Sequence, residues 1–351
     1  MRDVAVVSFA QSPYVRREVR RNEVEILMPV LRDAVARSGI PRQEIGFTVS
    51  GSCDYLAGQP FAFVNALDAV GAWPPIRESH VEMDGAWALY EAWIKIQTGD
   101  VDSALVYSFG KSSPGDIAEV LALQLDPYTV TPLWPDAHSL AAIQARAFLE
   151  ATGKSERELA QVAARSRRSA IGNPHAVVSG EFDVEKLLAE PCLVSPLRAH
   201  DLPPVTDGAS ALVMVAGERA RKLCKRPVWI RGIDHRIEPQ SLGARELARS
   251  ASTEIAGAKA GVHKGKIDLA ELHAPYSHQE LILRAALGLG ESVKVNPSGG
   301  ALASHPLMAA GLVRIGEAAQ RLMSREGDRA VAHATQGPCL QQNLVCVLEG
   351  D

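Results

Sequence analysis

An α/β fold built from two copies of one βαβαβ unit, the first copy enlarged by an insertion, is what this sequence predicts. A β-rich segment, a helical period and a second β-rich segment occur in the same order from residue 3 and again from residue 228. In both places a Gly-led helical stretch, a Gly-Asp turn and a further strand then follow. An internal repeat of this length means two copies of one supersecondary unit packed together.

The elements justify this in order. DVAVVSF at 3–9 is rich in β-formers, NEVEILMPVLRDAVARSG carries apolar residues at helical spacing, and EIGFTVSG closes a βαβ unit. From Val81, VEMDGAWALYEAWIKIQTGDVDSALVYSFG gives a helix led by Gly85, the turn Gly99-Asp100 and a strand. That strand, VDSALVYSF, is expected at a sheet edge, where a second copy of the chain or a related one would cover it.

The second copy reads VWIRGI, then ARELARSASTEIAGAKAG, then KIDLAELHAP, and ends through VNPSGGALASHP and a helix to the turn Gly327-Asp328. The link CKRP sets the boundary, giving halves at 1–225 and 226–351 whose sheets should pack with helices between them. The excess of the first half lies at about 110–198, rich in proline, aromatic residues and short helices. Loops at the carboxyl ends of strands carry ligand sites, so this insertion is expected as a lid whose LDPYTVTPLWPD stretch lies over a pocket, or as a subunit contact.

Composition narrows the classes. With 46% hydrophobic and 22% charged residues and no long apolar run, the chain suits a globular core and not a membrane span. A net charge of −4 gives nucleic acid no electrostatic footprint. MRDVAVVSFA lacks the apolar core of a signal peptide, so a cytoplasmic protein is expected. Five cysteines with no CxxC pair suggest neither a disulfide framework nor a zinc ribbon.

Two histidines occupy positions suited to chemistry. His273 follows a strand in ELHAPYSHQEL, and His305 closes the Gly-rich turn VNPSGGALASHP, which reads as a helix start with an anion-friendly terminus over 295–303. Breaking a bond alpha to a thioester develops charge on the thioester oxygen, and imidazole N–H groups can stabilise that enolate.

These residues resemble the thiolase superfamily along the whole chain. VNPSGGALASHP looks like the thiolase stretch ending in Gly-His-Pro, with Ser304 in place of the glycine; ELHAPYSHQEL looks like the second active-site turn; PPVTDGASALVM resembles the Asp-Gly-Ala segment before the second half. Within that superfamily the chain resembles the thiolase-like proteins of the sterol-carrier-protein-2 type, including lipid-transfer proteins and steroid side-chain aldolases that work with an OB-fold partner subunit. The resemblance implies a thiolase fold. It also implies oxyanion-hole duty for His273, activation for His305, substrate binding at the turn for Asn296 and Gly300, and coenzyme A as part of the substrate, with no tightly bound cofactor or metal.

Two departures stand out. The terminal Cys-containing motif is shifted, with Cys339 displaced in QGPCLQQN, and Glu82 takes the position of the acyl-accepting cysteine. No cysteine, serine or threonine occurs from His80 through Lys95. A carboxylate cannot stand in for a thiolate in thioester exchange. Three readings follow: a retro-aldol lyase on a β-hydroxyacyl-CoA with a steroid or other lipid side chain, an acyltransferase using Cys339, or a non-catalytic acyl-CoA or lipid binder within a heteromeric complex. In the first, His273 polarises the thioester while Tyr276, Glu82, Asp84 or His305 moves protons.

Overall fold

The structure, a computed structural model, describes residues 2–351, so only Met1 of the opening segment lies outside it. In the first half the main sheet takes β1 (Val4–Gln11), β2 (Phe47–Gly51), β3 (Glu78–Val81), β4 (Ser103–Gly110) and β5 (Gly208–Ala216). From the second half it takes β6 (Val228–Ile237), β7 (Leu269–Leu272), β8 (Lys294–Val295), β9 (Arg329–Gln336) and β10 (Gln342–Gly350). Across the sheet they run β8-β7-β9-β10-β6-β1-β5-β4-β2-β3. Each half therefore has the same order and the same pattern, with three parallel strands on the outside and two antiparallel ones towards the middle.

The halves do not form separate sheets. β1 and β6 join them edge to edge through only two residue pairs, Ala5 with Trp229 and Val6 with Val228. VDSALVYSF, expected at an edge, is β4 and lies inside the sheet between β5 and β2. Its antiparallel partner β5 begins at Gly208, a hundred residues on in the sequence and beyond the insertion, which is why local pattern did not show it. The free edges are β3 and β8.

The longer helices are α1 (Glu23–Ser38), α2 (Ala62–Val70), α3 (Gly85–Gln97), α4 (Ala137–Thr152), α5 (Glu156–Ser169), α6 (Ala251–Ala260), α7 (Ser277–Ala286) and α8 (Ala310–Met323). Capping sets their ends: Asn22 and Glu25 form a capping box at the start of α1, and Gly39 takes the left-handed conformation after it (φ 70°). One face of the first half is covered by α1 and α2, and the corresponding face of the second by α6, α7 and, from the insertion, α4. Between the halves lies a shared core in which Ala88, Leu89 and Ile96 of α3 and Leu312 and Ile315 of α8 meet strand residues of both copies.

Expected as a helix start, residues 295–303 instead finish β8 at Val295 and continue as turns. His305 and Pro306 then pair in parallel with Val205 and Thr206, and α8 begins only at Ala310. The boundary drawn after residue 225 lies in the short link before β6. Within the insertion α5 packs on α7. A cavity of about 360 Å³ opens beside Tyr55, Lys111 and Ser112, and residues 125–136 do not line it. No helix among the described residues is long and apolar enough to cross a membrane.

Candidate active site

The site forms where loops leave the carboxyl ends of the parallel strands, the usual ligand position of an α/β sheet. His273 follows β7, the 296–304 turn follows β8, and Thr335 and Gln336 end β9. From the first half, the loop after β3 reaches this group: the Asp84 amide donates to Gln336 Oε1 (3.0 Å) and the Gly85 amide to the Met308 carbonyl (2.9 Å).

At its centre the Nε2 atoms of His273 and His305 lie 2.9 Å apart, both rings buried. The Thr335 amide donates to His273 Nδ1 at 3.3 Å. That nitrogen must therefore carry a lone pair, which puts the proton of neutral His273 on Nε2. His273 then donates to His305 Nε2, and the His305 proton falls on Nδ1, which is buried without a partner. Burial, with Arg314 adding to it, takes His305 down to about 4, and burial, His305, His333 and Arg314 hold His273 well below the ordinary imidazole value. Both rings are neutral at pH 7: one presents an N–H, the other a lone pair.

Asn296 and Gly300 build the turn that carries His305. Asn296 takes a left-handed φ of 49°, its Oδ1 accepts from the Leu272 amide (2.7 Å), and its Nδ2 donates to Glu280 Oε2 (2.9 Å). Gly300 sits at φ 61°, and a Cβ there would fall 2.8 Å from Asn296 Cγ. Both polar atoms of the Asn296 side chain are thus engaged within the protein, and Gly300 serves the turn through its backbone conformation.

The remaining candidates do not converge on the histidine pair through any hydrogen bond they make. Asp84 caps α3 through the Ala86 amide (2.9 Å) and also accepts from Gly311 (2.8 Å) and Leu312 (3.0 Å) at the start of α8. Burial pushes its carboxyl up to about 6 while those amides pull the other way. Glu82 is exposed, accepting from the Asp54 amide (2.7 Å) and facing His80 Nε2 (3.2 Å).

The Tyr276 hydroxyl lies 2.9 Å from His138 Nδ1, and burial raises its pKa. Cys339, at φ 53°, points its thiol at the Leu140 carbonyl (3.4 Å), and burial pushes it up to about 11. A thiol held protonated in this way is a poor nucleophile. Cys53 is likewise buried, with its pKa raised by burial. Sequence reasoning missed His138 and Thr335. His138 belongs to the insertion, and Thr335 acts through a backbone amide that no side-chain pattern reveals.

Residues 237–347 match the family described as thiolase, C-terminal domain. The benzoylsuccinyl-CoA thiolase subunit BbsB of Thauera aromatica is 27% identical over 233 residues, 58% of this chain and 60% of that protein. The chain thus spans less than two thirds of that relative's length. Human sterol carrier protein 2 is 24% identical over 387 residues, covering 98% of this chain and 70% of that one. Among solved structures, one described as the Ltp2-ChsH2(DUF35) aldolase superposes with a TM-score of 0.82 at 18% identity, over 99% of this chain and 98% of the other. The likeness to solved structures shows a thiolase fold, and the family match covers its C-terminal part, residues 237–347. The sterol carrier protein 2 of cattle and of human are thus among the proteins to which nearly the whole chain is similar, at 23% and 24% identity.

Proposed function

We propose that this chain cleaves a β-hydroxyacyl-CoA by a retro-aldol reaction. The observation that carries the reading is the neutral histidine pair, with the donor hydrogen on His273 and the lone pair on His305. A β-hydroxyacyl thioester needs those two functions on oxygens a few bonds apart, so the substrate takes over the two ends of the His–His hydrogen bond.

His305 Nε2 accepts the β-hydroxyl proton. The bond between Cα and Cβ breaks, its electron pair passes to the thioester as an enolate, and the hydroxyl carbon leaves as a carbonyl compound. His273 Nε2–H holds the enolate oxygen, and Cα is reprotonated by the His305 imidazolium, which restores the base. No thiol is required, in keeping with the absence of cysteine, serine and threonine from His80 through Lys95.

The acyl-CoA substrate class is supported by the thiolase-like relatives, and the aldolase reading by the solved neighbour's description. That description pairs two components, which supports a partner polypeptide for this chain as well; the resemblance to the steroid side-chain aldolases makes it one with an OB fold. The free edge β3, with Phe61 and Trp73 exposed nearby in sequence, supports assembly with another thiolase-like chain.

The test incubates the purified chain, alone and with any co-purifying subunit, with β-hydroxyacyl-CoA and β-ketoacyl-CoA panels. Cleavage of the hydroxy series without free CoA is expected, and His273→Ala should lower turnover on the order of 10² to 10³-fold. Cleavage that depends on free CoA and is lost with Cys339→Ala would favour the acyltransferase, and tight binding without turnover the binder.

A further inference from the structure

Beneath the histidine pair lies a buried ion pair that no step above uses. Arg314, on the inner helix α8, has its side chain 3% exposed, and Glu271, on β7, has its side chain fully buried. Arg314 Nη1 donates to Glu271 Oε2 (2.8 Å) and to Ser298 Oγ (2.7 Å). Glu271 in turn accepts from the Ser298 amide (2.9 Å) and hydroxyl (2.7 Å). Two charges thus converge on one serine of the turn that carries His305.

A hydrophobic pair of similar volume generally serves stability as well as or better than a buried ion pair. Arg314 is also incompletely satisfied, since its Nε–H is buried without an acceptor. The pair therefore answers a need other than stability. We propose that Arg314 is a positioning residue of the active site: with Glu271 it fixes Ser298, and through it the 296–304 turn and the His305 ring, while standing as a permanent cation behind both imidazoles.

Three further features fit that role. Burial is the largest cause that depresses both His273 and His305, and the guanidinium adds to it in the same direction. The other ionisable groups facing this cluster are His333 on β9, Asp84 at the start of α3, Tyr14 from the segment after β1 and Glu280 of α7, which holds Asn296, while Glu317 and Arg321 extend the network along α8 towards solvent. Gly299 and Gly300, both at positive φ, leave the turn without intrinsic rigidity, so an external anchor is needed to hold it.

The inference rests on the retro-aldol reading only for the step that is slowed. Its test therefore begins with a readout that needs no turnover: NMR titration of the histidine rings between pH 5.5 and 8 in wild type, R314K, R314Q and the double variant R314M with E271L. Burial is the largest cause of both depressions, so wild type and R314K should keep both site imidazoles neutral across the range, whereas R314Q and the double variant should move the titration of at least one upward, seen as a pH-dependent ring shift at the acid end of the range. In the cleavage assay the double variant should lose turnover on the order of tenfold to a hundredfold, with KM within about threefold, and R314K should recover most of the loss.

Identical ring titrations in R314K and R314Q would overturn the proposal, as would a folded double variant with wild-type titration and turnover. If the double variant does not fold, the comparison of R314K with R314Q decides alone. Should wild type cleave no β-hydroxyacyl-CoA, the functional reading falls while the titrations still decide this one.

Discussion

Lowering the pH from 7.5 to 4 loads protons onto a fold that buries its imidazoles neutral. His278 is the cleanest case: burial alone takes it from 6.5 to about 3, its Nε2 lying 3.2 Å from Gln144 Oε1 while Nδ1 has no partner. The folded value lies below the unfolded one, so between them the unfolded chain binds the extra proton and stability falls as pH falls. At pH 4 that one group removes about 3 kcal/mol. His305 and His333, each taken from 6.5 to about 4, act in the same direction, removing about 3 kcal/mol apiece.

Asp84 acts oppositely. Its carboxyl is raised from 3.8 to about 6, so its contribution is lost as pH rises through 6 and acidification restores about 2 kcal/mol. The net loss of about 7 kcal/mol, or even half of it, is a large part of a typical total stability. Urea unfolding followed by tryptophan fluorescence and far-UV circular dichroism at half-unit pH steps should show midpoints falling from pH 6.5, with the native state nearly lost at 4. His278→Asn should make that decline shallower by about 3 kcal/mol. Midpoints unchanged between pH 7 and 4.5 would refute the reasoning.

Other expectations follow from single contacts. A Cβ at Gly311 would sit 2.5 Å from Asp84 Oδ1 and from Ala334 Cβ, so Gly311→Ala should cost about 1–3 kcal/mol in thermal or chemical denaturation. Cys339→Ala should leave retro-aldol turnover within about threefold, because its thiol points at the Leu140 carbonyl and is held protonated. Sedimentation should give a mass above one chain. Phe61→Glu combined with Trp73→Glu, at positions 67% and 85% exposed, should bring it down to one if β3 is the assembly edge.

Much of the fold was legible because it is local. The βαβ order and both Gly-Asp turns depend on neighbours in sequence, and the structure repeats them in each half. The place of β4 was not legible, since its antiparallel partner enters only after the whole insertion. At the site, His273 and His305 were visible as motif residues, and the structure brings them together. Their division of labour was invisible, for it is set by the Thr335 amide on a third strand. Asp84 was read as a proton carrier although Asp-Gly-Ala before an apolar helical run also has the form of an N-cap, and the structure uses it as one.

That same carboxylate serves two helices at once, α3 of the first repeat and α8 of the second. The two copies have thereby surrendered their independence: the cap that begins the inner helix of one is housed in the other. Split after residue 225, the later fragment would carry an inner helix whose second and third amide hydrogens had lost their acceptor. Descent from a duplicated unit is still written in the strand order, but separation back into that unit is closed off by one shared aspartate.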